Sequence, residues 1–161
     1  MSSSRWIACF VLLPLIGGCG FQLAGAVTTP AVMERTYIAA DDRYSLFYRA
    51  LKQRLVSLGV HVVDSPVDAT ATLSILIDDT NQRVLSVSAR NVPTEYEVYY
   101  TVQYSLSAQQ SSLLEPQVVT LTRDYTYDET LVLGKVREEA LMRESIVDDL
   151  VRIVVKQISS L

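Results

Sequence analysis

The stretch EYEVYYTVQYSL, residues 95–106, alternates without a break. Its even positions, Tyr96, Val98, Tyr100, Val102, Tyr104 and Leu106, are aliphatic or aromatic, and Glu95, Glu97, Thr101, Gln103 and Ser105 stand between them. Such a period of two marks a β-strand with one buried face and one wet face. Tyr99 is an aromatic on the wet phase, a position that can mark an interface.

Working outward, Ala71, Leu73, Ile75 and Ile77 alternate with Thr70, Thr72 and Ser74, and the odd phase resumes at Leu85, Val87 and Ala89. A third run, Val119, Leu121, Tyr125 and Tyr127, is interrupted on its apolar face by Arg123. Asn91-Val92-Pro93 and Leu114-Glu115-Pro116 read as the turns joining these antiparallel strands. Within the strands, Tyr96, Tyr100 and Tyr104 read as core residues with their hydroxyls at the sheet margin.

Helices flank the strands. Arg35 to Ala40 reads as a first strand, and Asp41-Asp42 offer capping oxygens ahead of a helical stripe at Phe47, Leu51, Leu55 and Leu58. Gly59 is a natural stop. The outer face of that helix carries Arg49, Lys52, Gln53 and Arg54, either a solvated surface or a contact for an acidic partner. From roughly Val136 to Ile158, Met142, Ile146, Leu150, Val154 and Ile158 advance by four, and Val147 and Val151 widen the stripe. Glu139 with Arg143 and Asp148 with Arg152 are spaced as i, i+4 ion pairs. The order strand, helix, strands, helix specifies an α+β fold: a two-layer sandwich, mostly antiparallel or mixed, of about four strands with two helices on one face.

The N-terminus is of another kind. Arg5, an apolar core from Trp6 to Ile16 and then Gly17-Gly18 have the layout of a secretory signal, too short to span a bilayer. Ile16-Gly17-Gly18-Cys19 resembles the bacterial lipobox, in which the cysteine thiol takes a diacylglyceryl group and the freed amine an acyl chain. Several chains hold a protein to a membrane where one holds it marginally. Residues 1–18 are thus expected to be a lipoprotein signal peptide, 19–33 a lipidated N-terminus and tether, and 34–161 one domain. Gly20 after the cysteine, rather than an Asp, favours the outer membrane. Cys9 leaves with the signal and Cys19 is capped, so the mature chain has no free thiol.

Cleavage removes one of 14 basic side chains and none of 18 acids, leaving a net charge of −5. That balance speaks against nucleic acid and against general attraction to an anionic membrane. The single histidine, His61, has no metal-ligand spacing around it, and Asp41-Asp42, Asp78-Asp79 and Asp148-Asp149 are adjacent pairs whose side chains diverge. No nucleophile elbow or phosphate loop occurs. The expectation is a non-enzymatic protein without a cofactor.

Several short motifs in order complete the reading. Cys19-Gly20-Phe21-Gln22-Leu23, then Arg90-Asn91 ahead of Glu95-Tyr96, then Thr101-Val102, and Leu133-Gly134-Lys135 before the last helix, resemble the LptE family of outer-membrane lipoproteins. The resemblance implies a plug that sits in the LptD β-barrel, helps it assemble, and binds lipopolysaccharide on its way to the outer leaflet. It also implies lipopolysaccharide-contacting bases at Arg90 and Lys135. Ala24 stands where many relatives carry a base, and the polar tail of some relatives is absent after Leu161. A second class stays open: an independent periplasmic lipoprotein holding a small apolar ligand between sheet and helices.

Overall fold

The computed structural model describes residues 28–109, 111–126 and 132–161, with side chains from Arg137 onward in the last stretch. The signal peptide, Cys19 and the tether up to residue 27, as well as Tyr127, lie outside the described residues. The elements are β1 (Arg35–Ala39), α1 (Leu46–Ser57), β2 (His61–Val63), β3 (Ala71–Val87), β4 (Pro93–Ala108), β5 (Ser111–Thr126) and α2 (Val132–Ile158). They form one mixed sheet in the order β2-β1-β3-β4-β5. β1 pairs in parallel with both β2 and β3, while β3-β4-β5 is an antiparallel meander. The sheet thus has five strands where about four were expected; the shortest, β2, is three residues long and lies at the sheet edge.

The two helices lie side by side on one sheet face. Phe47, Leu51 and Leu55 of α1 and Ile146, Leu150, Val154 and Ile158 of α2 are fully buried against Leu73, Val102, Tyr104 and Leu106. Full burial of each aliphatic side chain contributes about 1.5–3 kcal/mol. Met33 joins this core from a 3-10 turn, Ala31–Met33, that was expected to belong to the tether. The cap of α1 is Ser45, whose Oγ accepts from Tyr48 N–H at 3.0 Å; Asp42 instead closes a local turn onto Tyr44 N–H. Gly59 follows α1 at φ 86°, the left-handed value that glycine adopts without penalty.

Expectation and structure part at three places, each with a physical cause. Leu114-Glu115-Pro116 is no turn: it lies inside β5, with the reversal at Gln109 instead. The pairing passes from Tyr104↔Gln117 to Leu106↔Leu114, so β5 carries an extra residue at Glu115-Pro116. A proline fits there because β5 is an edge strand and a bulge needs no ladder donor. In β3, Ile75 pairs with Tyr104 but Ile77 with Gln103, a bulge at Leu76 that reverses the phase. Ile77 therefore leaves the core, 41% exposed, and Asp78, Thr80 and Gln82 turn toward the helices. Leu85 and Val87, expected on the buried phase, are exposed as well, beyond a second shift between Val84 and Ser86.

The tyrosine hydroxyls end between the layers rather than at the margin. Tyr100 donates to Asp78 Oδ1 at 2.5 Å, Tyr104 to Gln157 Oε1 at 2.6 Å and Tyr125 to Gln82 Oε1 at 2.9 Å. Asp78 Oδ2 also accepts from Ser45 Oγ at 2.5 Å, so one carboxylate joins the α1 cap to the middle of the sheet. Next to it Arg143 bonds Thr80 Oγ1 at 3.0 Å and the i, i+4 partner Glu139 at 2.6 Å. Arg123 is explained in the same way. It faces the helix layer and meets Asp149 of α2 at 2.6 Å. Arg152 pairs with that same Asp149 at 2.9 Å rather than with Asp148.

Burial, and then the Asp78 carboxylate, push the Tyr100 hydroxyl far above its ordinary pKa, and burial raises Tyr104 too. With the folded pKa raised, the stabilisation is complete below the unfolded value near 10 and is lost as pH rises past it. Tyr100→Phe is therefore expected to cost about 1.5–3 kcal/mol at neutral pH. Above pH ~10 the wild type should fall more steeply than this variant, by up to about 1.4 kcal/mol per pH unit. Urea unfolding at neutral and alkaline pH measures both.

Candidate functional site

Arg90 owes its position to the β3–β4 hairpin. The strands are joined by a turn in which Ser88 N–H donates to Val92 O at 2.8 Å and Asn91 N–H to Ser88 O at 2.9 Å. Ser88 Oγ accepts from Val92 N–H at 3.3 Å, and Asn91 holds φ 61°. Asn tolerates this left-handed geometry better than other residues with a Cβ. Arg90 is exposed at the tip of this turn.

Lys135 falls within the first turn of α2 rather than before it, because the helix starts at Val132. Its side chain lies outside the described residues. The chain topology nevertheless brings it to the Arg90 end of the sheet. The last residue of β5, Thr126, pairs with Glu95, two residues after β4 begins, and α2 starts six residues later. Glu138 and Met142 of α2 line one open cleft with Leu85, Glu95, Asp124 and Tyr125, at that same end. The cleft itself is lined by the carboxylates of Glu95, Asp124 and Glu138. Any anion drawn there must be held by local contacts.

The sheet face away from the helices is the second candidate surface. Paired residues share a face, so Thr72, Ser74, Asn81, Tyr99, Thr101, Gln103, Ser105, Ser107, Thr120 and Thr122 all lie on it. Thr101 and Thr120 hydroxyls bond each other at 2.9 Å across the β4–β5 pair. Its charges are Asp79, opposite Thr101, and others toward the hairpin, where Arg83 Nη2 sits 2.5 Å from Glu97 Oε2. Tyr99 is half-buried between Asn81 and Thr122. No group of three His, Cys, Asp or Glu that could hold a metal occurs among the described residues, and His61 is exposed at the start of β2. The interlayer roles of Asp78, Thr80, Gln82 and Arg143 escaped the sequence reading, although the Glu139–Arg143 pair did not; the signal was Asp78-Asp79 directly after an apolar alternation.

A family model described as LptE, Lipopolysaccharide-assembly, matches residues 33–158. The chain belongs to the LptE family. It is similar to the LPS-assembly lipoprotein LptE of Yersinia enterocolitica, 27% identical over 143 residues that cover 88% of this chain and 68% of that one. The LptE of Pectobacterium atrosepticum is 25% identical over 134 residues, covering 81% of this chain and 71% of that one. Among solved structures, an uncharacterized lipoprotein B from Nitrosomonas europaea aligns with a TM-score of 0.71 and 26% identity, over 88% of this chain and 91% of that one. The rare lipoprotein B from Shewanella oneidensis shares the fold, with a TM-score of 0.68 at 23% identity over 78% of this chain and 94% of that one. The α+β reading of the sequence agrees with these LptE-like folds. Of the residues that carried the resemblance, Arg90-Asn91 form the hairpin tip, Glu95-Tyr96 and Thr101-Val102 lie in β4, and Leu133-Gly134-Lys135 open α2.

The tip geometry depends on Asn91. Asn91→Gly should leave stability within a few tenths of a kcal/mol, whereas Asn91→Val should cost about 1–2 kcal/mol through the left-handed conformation alone. Urea unfolding of both variants separates the cases. An equal loss in the two would assign the asparagine a side-chain role instead.

Proposed function

We propose that this chain is an outer-membrane lipoprotein that occupies the LptD β-barrel as a plug, helps it assemble, and binds lipopolysaccharide as it passes to the outer leaflet. The family match across 33–158, nearly the whole folded domain, carries the reading. The lipobox-like Ile16-Gly17-Gly18-Cys19 adds a diacylglyceryl and N-acyl anchor on Cys19 at the periplasmic side. A hydroxyl-rich, largely uncharged sheet face suits a hydrated barrel lumen. The space between sheet and helices is filled by Phe47, Leu51, Tyr104, Ile146 and Leu150, which argues against a small apolar ligand held there.

The lipid A phosphates are concentrated negative charge, and the protein is acidic, so recognition must be local. Arg90 offers a planar fork for phosphate oxygens and Lys135 a mobile point charge. A charge-assisted hydrogen bond contributes about 1.5–3 kcal/mol where the phosphate is partly dehydrated. Replacing both residues by Asp should weaken lipopolysaccharide binding more than about tenfold, since two such bonds exceed the 1.4 kcal/mol of a decade. Co-purification with the barrel and the circular dichroism spectrum should be unchanged. Unaltered binding by the folded double variant at the same salt removes both residues from the site. Cys19→Ala, analysed by mass spectrometry, should leave an unacylated precursor that retains residues 1–18.

A further inference from the structure

Lys135, Glu139 and Arg143 follow one another at intervals of four in α2, so the three share one face of the helix. The middle residue is therefore within reach of a base on either side, and one of them holds it. Arg143 Nη2 donates to Glu139 Oε1 at 2.6 Å and Nε to the same oxygen at 3.2 Å. Arg143 is itself fixed to the sheet. Its Nη1 donates to Thr80 Oγ1 at 3.0 Å, and Thr80 Oγ1 donates in turn to Tyr99 O at 2.9 Å. Thr80 is available for this because the bulge at Leu76 turns it toward the helices. The Arg143 and Glu139 side chains are 22% and 23% exposed, so water competes poorly for the pair.

The order of charges favours the arrangement. A carboxylate four residues before a base makes a better helix pair than one four residues after it, so Glu139 prefers Arg143 to Lys135. Lys135 lies in the first turn of α2, where the helix macrodipole disfavours a cation and favours any anion beside it. That end of the sheet already holds the carboxylates of Glu95, Asp124 and Glu138. A released Glu139 would be a fourth, on the same helix face as Lys135 and about 6 Å from it between Cβ atoms.

We infer that Arg143 is a positioning residue for the lipopolysaccharide site: it holds Glu139 toward the sheet and so keeps that carboxylate from competing with phosphate for Lys135. The inference rests on the reading of Lys135 given above, and Arg143 acts in it through Glu139, not on the ligand. Two unit charges about 6 Å apart in water shift an equilibrium about threefold, which sets the scale of the effect.

The test measures binding of purified lipopolysaccharide to the detergent-solubilised, full-length mature protein at one salt concentration, with the circular dichroism spectrum of each variant checked. Arg143→Leu should weaken binding about threefold or more, and Arg143→Leu combined with Glu139→Gln should restore it. A merely structural Arg143 predicts no such rescue, since the second substitution leaves its lost contacts unmade. Should Arg143→Leu fail to fold, Arg143→Gln, uncharged and of polar character, takes its place with the same expectations. Wild-type binding by the folded single variant overturns the inference, and so does a loss that persists in the double variant. If Glu139→Gln alone gains what Arg143→Leu loses, the pair acts only as a sum of charges and the inference falls as well. Lys135→Ala should itself weaken binding and make Arg143→Leu silent in its background; a further loss there shows that Arg143 acts elsewhere and overturns the inference. Wild-type binding by Lys135→Ala removes the lysine from the site and defeats the underlying reading instead.

Discussion

A strand of 17 residues runs about 55 Å, while a helix of 12 residues runs about 18 Å and one of 27 about 40 Å. The β3-β4-β5 meander is therefore longer than the two-helix layer that covers it. Near the chain's entry both helices lie on the sheet and the interlayer is aliphatic. Toward the hairpin only the first half of α2 is left to cover three strands. An uninterrupted apolar phase along β3 would have carried a greasy face out into solvent. The bulge at Leu76 prevents this: by turning the phase once, it aims Asp78, Thr80 and Gln82 at the interlayer just where cover thins.

Asp78 and Thr80 are partly buried there and Gln82 stays exposed; a polar group withdrawn from water without a partner costs about 1–3 kcal/mol. Each has one. Asp78 takes hydroxyls from Tyr100 and Ser45, Gln82 takes Tyr125, and Thr80 takes Arg143. The Tyr96 and Tyr125 rings stack at 5.6 Å and continue the layer toward the hairpin. Since the Asp78 bonds reach the N-cap of α1, the strand irregularity and the helix start define each other's position.

Much of this was legible from alternation. β4 keeps one phase for 16 residues and could be read directly; the buried stripes of α1 and α2 were equally clear. What alternation cannot register is a residue inserted in one strand only. The bulges at Leu76 and at Glu115-Pro116 depend on pairing with β4, a non-local fact. Thus Ile77 was counted into the core and Pro116 into a turn. A three-residue strand such as β2 has too few positions to show a period, and it forms because β1 already presents an open parallel edge. Arg123 looked like noise for a similar reason, since its partner Asp149 lies 26 residues away on the covering helix. At the candidate site, motif order pointed to Arg90 and Lys135, but the carboxylates of the nearby cleft, Glu95, Asp124 and Glu138, come from three separate elements.

Those carboxylates bear on how an anion could be held at the hairpin. A site with a broad positive field gains affinity from many weak, screened interactions and loses it steeply with salt. Two bases at the end of the sheet that also holds an acidic cleft do not make such a field; repulsion from those carboxylates rejects anions that fail to engage the bases directly. Selectivity then rests on geometry, a phosphate pair meeting a fork, as negative surroundings penalise a poorly aligned ligand more than a well-bonded one.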